Sequence, residues 1–222
     1  MDYHFDFWPI WERRDLILEG LVTTIVLSLA ALALAAVLGT VVGTLGTAHS
    51  RALRTLSALY VECMRNVPLL VHMYFWYMAL AFLKLPAFTC AMFGLSLYSG
   101  AYVAEVVRAG LGSIPAGQTL AGLAVGLTPL QTLRYIVFPQ ALRVIAPSLA
   151  SLLSQLIKDS SLASVLAVAE LTYQASAIEG QTFRTFEVYI VISLLYLLLV
   201  TVLSQTIAWF AGEGVEARLS DA

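Results

Sequence analysis

The chain has 222 residues, of which 60% are hydrophobic and only 12% charged, about half the charged share of an ordinary soluble domain. That balance excludes a domain whose apolar residues serve only an internal core and places much of the apolar surface against lipid. A net charge of −2 with twelve scattered cations excludes a nucleic-acid partner, since no cationic face can form.

In chain order, residues 1–19 read as an N-terminal periplasmic or interfacial segment. Phe5, Phe7, Trp8 and Trp11 suit the headgroup level of a bilayer, where amphipathic rings accumulate. The basic start and short apolar core of a signal peptide are missing, and the apolar run after Arg13 and Arg14 is too long for a twin-arginine signal. A spanning helix needs about 20 mostly apolar residues. Five stretches qualify: 20–47, which carries no charge; 56–83, interrupted by Glu62 and Arg65; 87–107, which includes Glu105; 147–172, which holds Lys158 and Asp159; and 186–210, with Glu187 at its edge. The expected fold class is therefore an all-α membrane protein. Its transmembrane domain covers 20–212, and a cytoplasmic tail covers 213–222.

Five crossings put the two ends on opposite sides. Arg51, Arg54, Arg108, Arg134, Arg143 and Arg218 fall on one side, against Arg13, Arg14, Lys84 and Arg184 on the other. Cations favour the cytoplasm, so the N-terminus is expected to be periplasmic and the C-terminus cytoplasmic. An odd count and the lack of a repeat argue against the inverted halves of many secondary transporters.

The third connection is the longest and has helical pattern. Leu120, Leu123, Ala124 and Leu127 follow the i, i+3, i+4, i+7 spacing of one apolar face. Gly126 stops that helix, Thr128-Pro129-Leu130-Gln131 starts another, and Pro139 ends it. The result is a cytoplasmic helix-turn-helix over about 117–138. Pattern alone leaves two uses open, an interfacial hairpin lying on the membrane or a docking element for a cytoplasmic partner.

The charges within the spans need partners. A charge at mid-membrane costs roughly 2.5–3.5 kcal/mol on insertion scales. Glu62 and Arg65 share a helix face, as do Glu105 and Arg108, each pair being three residues apart. Lys158 and Asp159 are adjacent and point about 100° apart, so neither satisfies the other. Salt bridging near the membrane edge suits Glu62, Arg65 and Arg108. A pathway or gating role suits Lys158 and Asp159, with the hydroxyls of Ser160 and Ser161 beside them. Cys63 and Cys90 read as small apolar residues, and His4, His49 and His72 show no metal spacing. Neither Lys84 nor Lys158 lies in a phosphate-binding G-x-x-x-x-G-K-[ST] loop, so the chain has no ATPase site of its own and no catalytic constellation.

The stretch GQTLAGLAVGLTPLQTLRYIVFPQALRVIAPSL resembles the cytoplasmic "EAA" motif of bacterial ABC-importer permeases. The match falls on Gly117, Gln118, Ala121, Ala124, Gly126, Ile136, Pro139, Gln140, Ala141, Arg143 and Pro147. Leu120 stands where the motif has its acid, and Gly122 where it has its second alanine. GLVTTIVLSL, YVECMRNVPLLVHMYFWY, SGAYVAEVVRAGLGSIPAGQ and LIKDSSLASVLAVAELTYQA resemble the polar-amino-acid branch, and the second leans toward glutamate/aspartate permeases. The resemblance implies a permease subunit in the bacterial inner membrane, paired with a second permease chain, identical or sibling. Two ABC ATPase subunits, which bind the ATP and Mg, would dock on the segment holding Gln118, Ala121, Gly122, Ala124, Gly126, Pro139 and Arg143. A periplasmic binding protein would deliver the amino acid. Lys158, Asp159, Ser160, Ser161, Glu105, Arg65 and Glu62 are then the residues expected along the pathway or its gate. The rival readings are an ATP-independent secondary transporter or channel and a membrane scaffold.

Overall fold

The computed structural model describes residues 3–219, and every regular element among them is helical. Met1, Asp2 and the last three residues of the expected tail lie outside the described residues. After the short α1 (Trp8–Trp11), helix α2 (Arg14–Leu45) runs for 32 residues, about 48 Å at 1.5 Å per residue and more than a bilayer core requires. Asp15 in its first turn faces the positive end of the helix dipole.

The expected span over 56–83 is not one helix. It divides into α3 (Arg51–Arg65) and α4 (Leu69–Ala79), the latter only 11 residues long. The break falls at Pro68, which lacks an N–H and disfavours helical backbone at Val67. Helix α5 (Ala87–Gly112) runs five residues beyond the expected end at 107.

The connection that follows holds α6 (Ala116–Ala124) and α7 (Pro129–Thr132). Gly126 stops α6 as expected, with φ +87°. Its N–H bonds the Leu123 carbonyl and the Leu127 N–H bonds the Gly122 carbonyl, the two bonds of a Schellman ending. Thr128 and Gln131 cap each other reciprocally at the start of α7. Pro139, however, does not end the second helix. A π-helical turn over Leu133–Val137 leads straight into α8 (Phe138–Asp159). A proline ring collides with the carbonyl four residues back, and the wider π turn immediately before Pro139 makes room for it. Pro147, expected at the start of a span, lies inside α8.

The stretch 147–172 is not one α-helix either. Helix α8 stops at Asp159, a 3-10 segment covers Ser160–Leu166, and α9 (Leu171–Thr182) follows. Ser160, Ser161 and Ser164 each donate a hydroxyl to the carbonyl three residues back, at 2.6–2.7 Å, which favours the tighter helix. Ala167, in the left-handed region at φ 59°, ends it. The last helix is α10 (Thr185–Leu219). Among the described residues, four stretches are long and apolar enough to cross a membrane: Arg14–Leu45, Ala87–Gly112, Pro129–Leu166 and Thr185–Leu203.

The chain forms two compact units. One comprises Met1–Leu32, Pro68–Ser96 and Leu153–Leu203. Its core joins Ile10 and Ile17 to Leu171, Ala175 and Ile178 of α9 and Val188 and Ile192 of α10. Glu187 sits beside Asp6, while Tyr196 sits beside Glu170, whose neighbour Leu171 bonds Thr24. Helix α10 therefore runs in the same direction as the start of α2. The other unit comprises Ala33–Val67, Leu97–Leu152 and Ser204–Ala222. Its core joins Ala35, Val103, Val107, Leu111, Val137, Ala141 and Ile145. A Cβ on Gly39 would lie 2.4 Å from the Cβ of Val103, and one on Gly43 2.5 Å from the Ala104 carbonyl oxygen. This Gly-x-x-x-Gly face brings α2 against α5 as small residues do in membrane helix pairs. Gly39 meets residues 100 and 103, Gly43 meets 104 and 107, and Gly46 meets 108, so α2 and α5 are parallel.

Candidate functional site

The charges expected along the pathway separate into distinct environments. Arg65, at the C-terminal end of α3, places its guanidinium 3.2 Å from Glu105 of α5 and 5.1 Å from the ring centre of Tyr102. Arg108, one turn beyond Glu105, bonds the same carboxylate at 3.1 and 3.3 Å. Two guanidiniums thus share one carboxylate, and all three side chains remain a third to a half exposed. The Tyr98 and Tyr102 hydroxyls meet at 2.9 Å one turn earlier on α5. The expected neighbourhood of Arg65 and Glu62 does not become an ion pair. Glu62 is exposed and accepts from Asn66 at 2.7 Å.

Lys158 and Asp159 do not bond each other, as their helical spacing requires. Asp159 accepts from Gln155 one turn back at 2.8 Å. Lys158 is exposed and forms no salt bridge among the described residues. The Ser160 and Ser161 hydroxyls are turned onto the Ile157 and Lys158 carbonyls, and Ser160 is fully buried.

The segment matched to the EAA motif forms a bracket. Gly122 is buried because a Cβ there would stand 2.6 Å from Thr132 Cγ2 and 2.9 Å from Ile136 Cδ1, so the position that departs from alanine is the contact that closes the hairpin. Gln118 joins the bracket to α8 through Gln140 at 3.2 Å. Ala121, Ala124, Gly126, Pro139 and Arg143 are all exposed. So are Leu120, Leu123, Val125 and Leu130, with Leu120 65% and Val125 76% exposed. The outer face of the bracket is apolar and has no acid within residues 106–147.

Sequence reasoning missed two carboxylates with no exposed surface, Glu170 and Glu187. Glu170 caps α9, accepting the Thr172 and Tyr173 N–H groups at 2.9 and 2.7 Å and the Tyr196 hydroxyl at 2.8 Å. Glu187 accepts the Tyr3 hydroxyl, the Asp6 N–H and the Arg184 guanidinium. That carboxylate pushes the Tyr3 phenol above its ordinary pKa. An acid just before a polar helical run signals an N-cap, and Arg184 three residues before Glu187 signals a pair.

The whole chain can be compared with known proteins. Residues 35–212 match the family of the binding-protein-dependent transport system inner membrane component. The chain belongs to that family. Among family relatives, the glutamine transport system permease protein GlnP of Escherichia coli (strain K12) is 37% identical over 204 residues, covering 90% of this chain and 93% of its own. The glutamate/aspartate import permease protein GltJ of Escherichia coli (strain K12) is 35% identical over 196 residues, covering 82% of this chain and 80% of its own. A crystal structure of an amino acid ABC transporter with histidines matches with a TM-score of 0.86 at 30% identity, covering 95% of this chain and 100% of that one.

Proposed function

We propose that the chain is the permease subunit of an ATP-driven ABC importer that moves a polar amino acid across the bacterial inner membrane. The observation that carries this reading is the capped bracket of α6 and α7, with its exposed apolar residues, in a chain of this transport family. Its exposed apolar face suits two ABC ATPase subunits, one on each of two paired permease chains, identical or sibling. ATP and Mg belong to those subunits, and a periplasmic binding protein supplies the substrate. The chain itself holds and moves the pathway and does no hydrolysis.

Five crossings with a periplasmic N-terminus and a cytoplasmic C-terminus remain the topology we favour. Its support is the parallel run of α2 and α5, which requires one return crossing between them, and α3, α4 and a short 3-10 turn over Ala81–Leu83 lie in that stretch. Lys158 and Asp159 suit a gate or a contact with the second permease chain. An exposed lysine without a salt bridge is available to a ligand or to another protomer.

The finer reading is an acidic substrate, glutamate or aspartate. Two guanidiniums around the single Glu105 carboxylate leave cationic capacity that an acidic side chain would use. The relatives support glutamine equally well, at 37% against 35% identity. Purification in mild detergent, then liposome uptake with the external binding protein, tests both levels. A co-purifying ATPase and ATP-dependent uptake are expected. Uptake without ATP, driven by an ion gradient or by none, would replace the importer with a secondary transporter or channel. Competition by unlabelled glutamate but not glutamine is expected, and the reverse order would remove the acidic preference.

A further inference from the structure

The N-terminal segment is fixed far more firmly than a free end needs to be. Four contacts converge where it meets the start of α10. The Tyr3 hydroxyl donates to Glu187, the Asp6 N–H donates to the same carboxylate at 3.1 Å, and Arg184 donates to Glu187 at 3.3 Å and to the His4 carbonyl at 2.9 Å. Arg184 also lies 4.0 Å from Asp6. Glu187 is wholly buried under this strap. Burying a carboxylate is costly unless its acceptors are used, and here three donors use them.

The strap holds up a surface of aromatic rings that are not covered. Phe5 is 59% exposed, Trp8 64%, Trp11 61% and Phe186 63%. Tyr3 meets Phe5 and Phe186 edge-on, at 5.2 and 5.5 Å between ring centres. Phe183 is the most exposed large apolar residue among the described residues at 85%, and it occupies the left-handed region at φ 55°. That backbone is uncommon for a bulky residue and favours glycine.

The position of these rings identifies what covers them. Trp11 immediately precedes the apolar stretch Arg14–Leu45, and Phe186 opens the stretch Thr185–Leu203. The exposed stripe of α2 continues from there as Leu18, Val22 and Val26, and that of α10 as Ile190, Leu194 and Leu198, each at the four-residue spacing of one helix face. A surface continuous with two lipid-facing stripes is a lipid surface. Its polar edges suit the headgroup level, since Trp8 Nε1 donates to Glu12 at 2.9 Å and Arg14 lies over the Trp11 ring at 5.6 Å.

We infer that the strap, Phe183 and Phe186 form one interfacial anchor, seated at the boundary between headgroups and acyl chains and locked by Glu187. The anchor sets the depth at which the starts of α2 and α10 sit in the bilayer. The inference rests on the membrane-spanning reading alone and stands whether or not the chain transports an amino acid.

The test uses the full chain with Trp76→Phe and Trp209→Phe, so that Trp8 and Trp11 are the only tryptophans and can be excited selectively over the tyrosines. It is reconstituted in vesicles of phosphatidylethanolamine and phosphatidylglycerol, with and without lipids brominated at shallow or deep acyl positions. Shallow bromines are expected to quench at least twofold more than deep ones, with little quenching by aqueous acrylamide. Full acrylamide access with no bromine quenching would overturn the anchor and leave the surface to a protein partner. Glu187→Gln is expected to lower the shallow quenching by half or more at unchanged helicity, and Tyr3→Phe, which removes one of the three donors to that carboxylate, by a smaller step. If both variants fold and quench as the parent does, Glu187 does not lock the strap. Phe183→Gly, which suits its backbone, is expected to keep the melting temperature and to weaken the quenching.

Discussion

Glu170 and Lys158 lie twelve residues apart in one stretch and have opposite relations to the protein. Glu170 has no exposed surface and accepts from two backbone N–H groups and the Tyr196 hydroxyl. Lys158 is exposed and has no salt bridge among the described residues. Both are charges within an apolar chain, and charge alone does not separate them. The difference lies in how many partners the fold supplies. A saturated, buried carboxylate is part of the architecture, and its loss orphans its donors. An exposed, unpaired cation is an open valence, available to a substrate or a second chain. The Arg65–Glu105–Arg108 cluster lies between these, paired but a third to a half exposed.

The largest expected effect is on the saturated side. Glu170→Ala removes the N-cap of α9 and leaves the Tyr196 hydroxyl without its carboxylate acceptor. A lost cap costs about 1 kcal/mol, and the Tyr196 hydroxyl, which keeps Thr172 at 3.0 Å as a partner, adds about 1 more, so destabilisation of about 2 kcal/mol is expected. A thermal melt in detergent measures it, with reduced yield of folded protein. An unchanged melt would mean that burial and partner number do not mark architecture in this chain.

Next comes the open side. Lys158→Ala and Asp159→Ala are expected to melt like the parent within about 1 kcal/mol and to lower ATP-dependent uptake about tenfold, equivalent to about 1.4 kcal/mol in the barrier. Uptake at the parental rate by both variants, with normal assembly, would end the gating role. A large fall in melting temperature instead would place these two residues with Glu170.

Only part of the fold and of the site was legible beforehand, and the limits have physical causes. The hairpin was readable because Gly126, Thr128 and Gln131 act locally: a left-handed glycine and a reciprocal cap need no distant neighbour. The helical breaks within 56–83 and 147–172 were not readable from hydropathy, which averages over Pro68 and over three serines whose hydroxyls turn back on their own carbonyls. Pro139 misled for the opposite reason, since the π turn that relieves its clash leaves no mark in the hydrophobic pattern. Arg65 was readable as a charge needing a partner, but its partner Glu105 lies 40 residues on and is set by tertiary packing. Glu187 was read only as a charge at the edge of the last span and Glu170 was given no role, because nothing in their spacing reports burial.

The bracket offers a third test, intermediate in size. Gly126 has φ +87° and open space around it, so Gly126→Asp meets no side chain and costs only backbone strain, about 1–2 kcal/mol. It also places an anion on an apolar face. Membrane insertion is expected to be unchanged, while the ATPase recovered with the chain falls several-fold. Parental recovery would mean that docking does not use the turn, and the apolar face would then be read as lying on the membrane.

The smallest expected effect is the most discriminating. Glu62 is a charge in an apolar stretch, as Glu170 is, but it is exposed and its carboxylate accepts from Asn66, a turn away on a flexible side chain. Glu62→Ala should shift stability by no more than about 0.5 kcal/mol, as surface substitutions do, and uptake by less than twofold. Measured beside Arg65→Gln, whose guanidinium contacts both Glu105 and Tyr102, it separates a charge that is merely near the cluster from one that belongs to it. If Glu62→Ala abolishes uptake while leaving the melt untouched, its partner is a residue of another chain. Exposure in the single protomer would then mark an assembly contact, and Lys158, exposed in the same way, would be read first as a contact with the second permease chain and only second as a group that meets substrate.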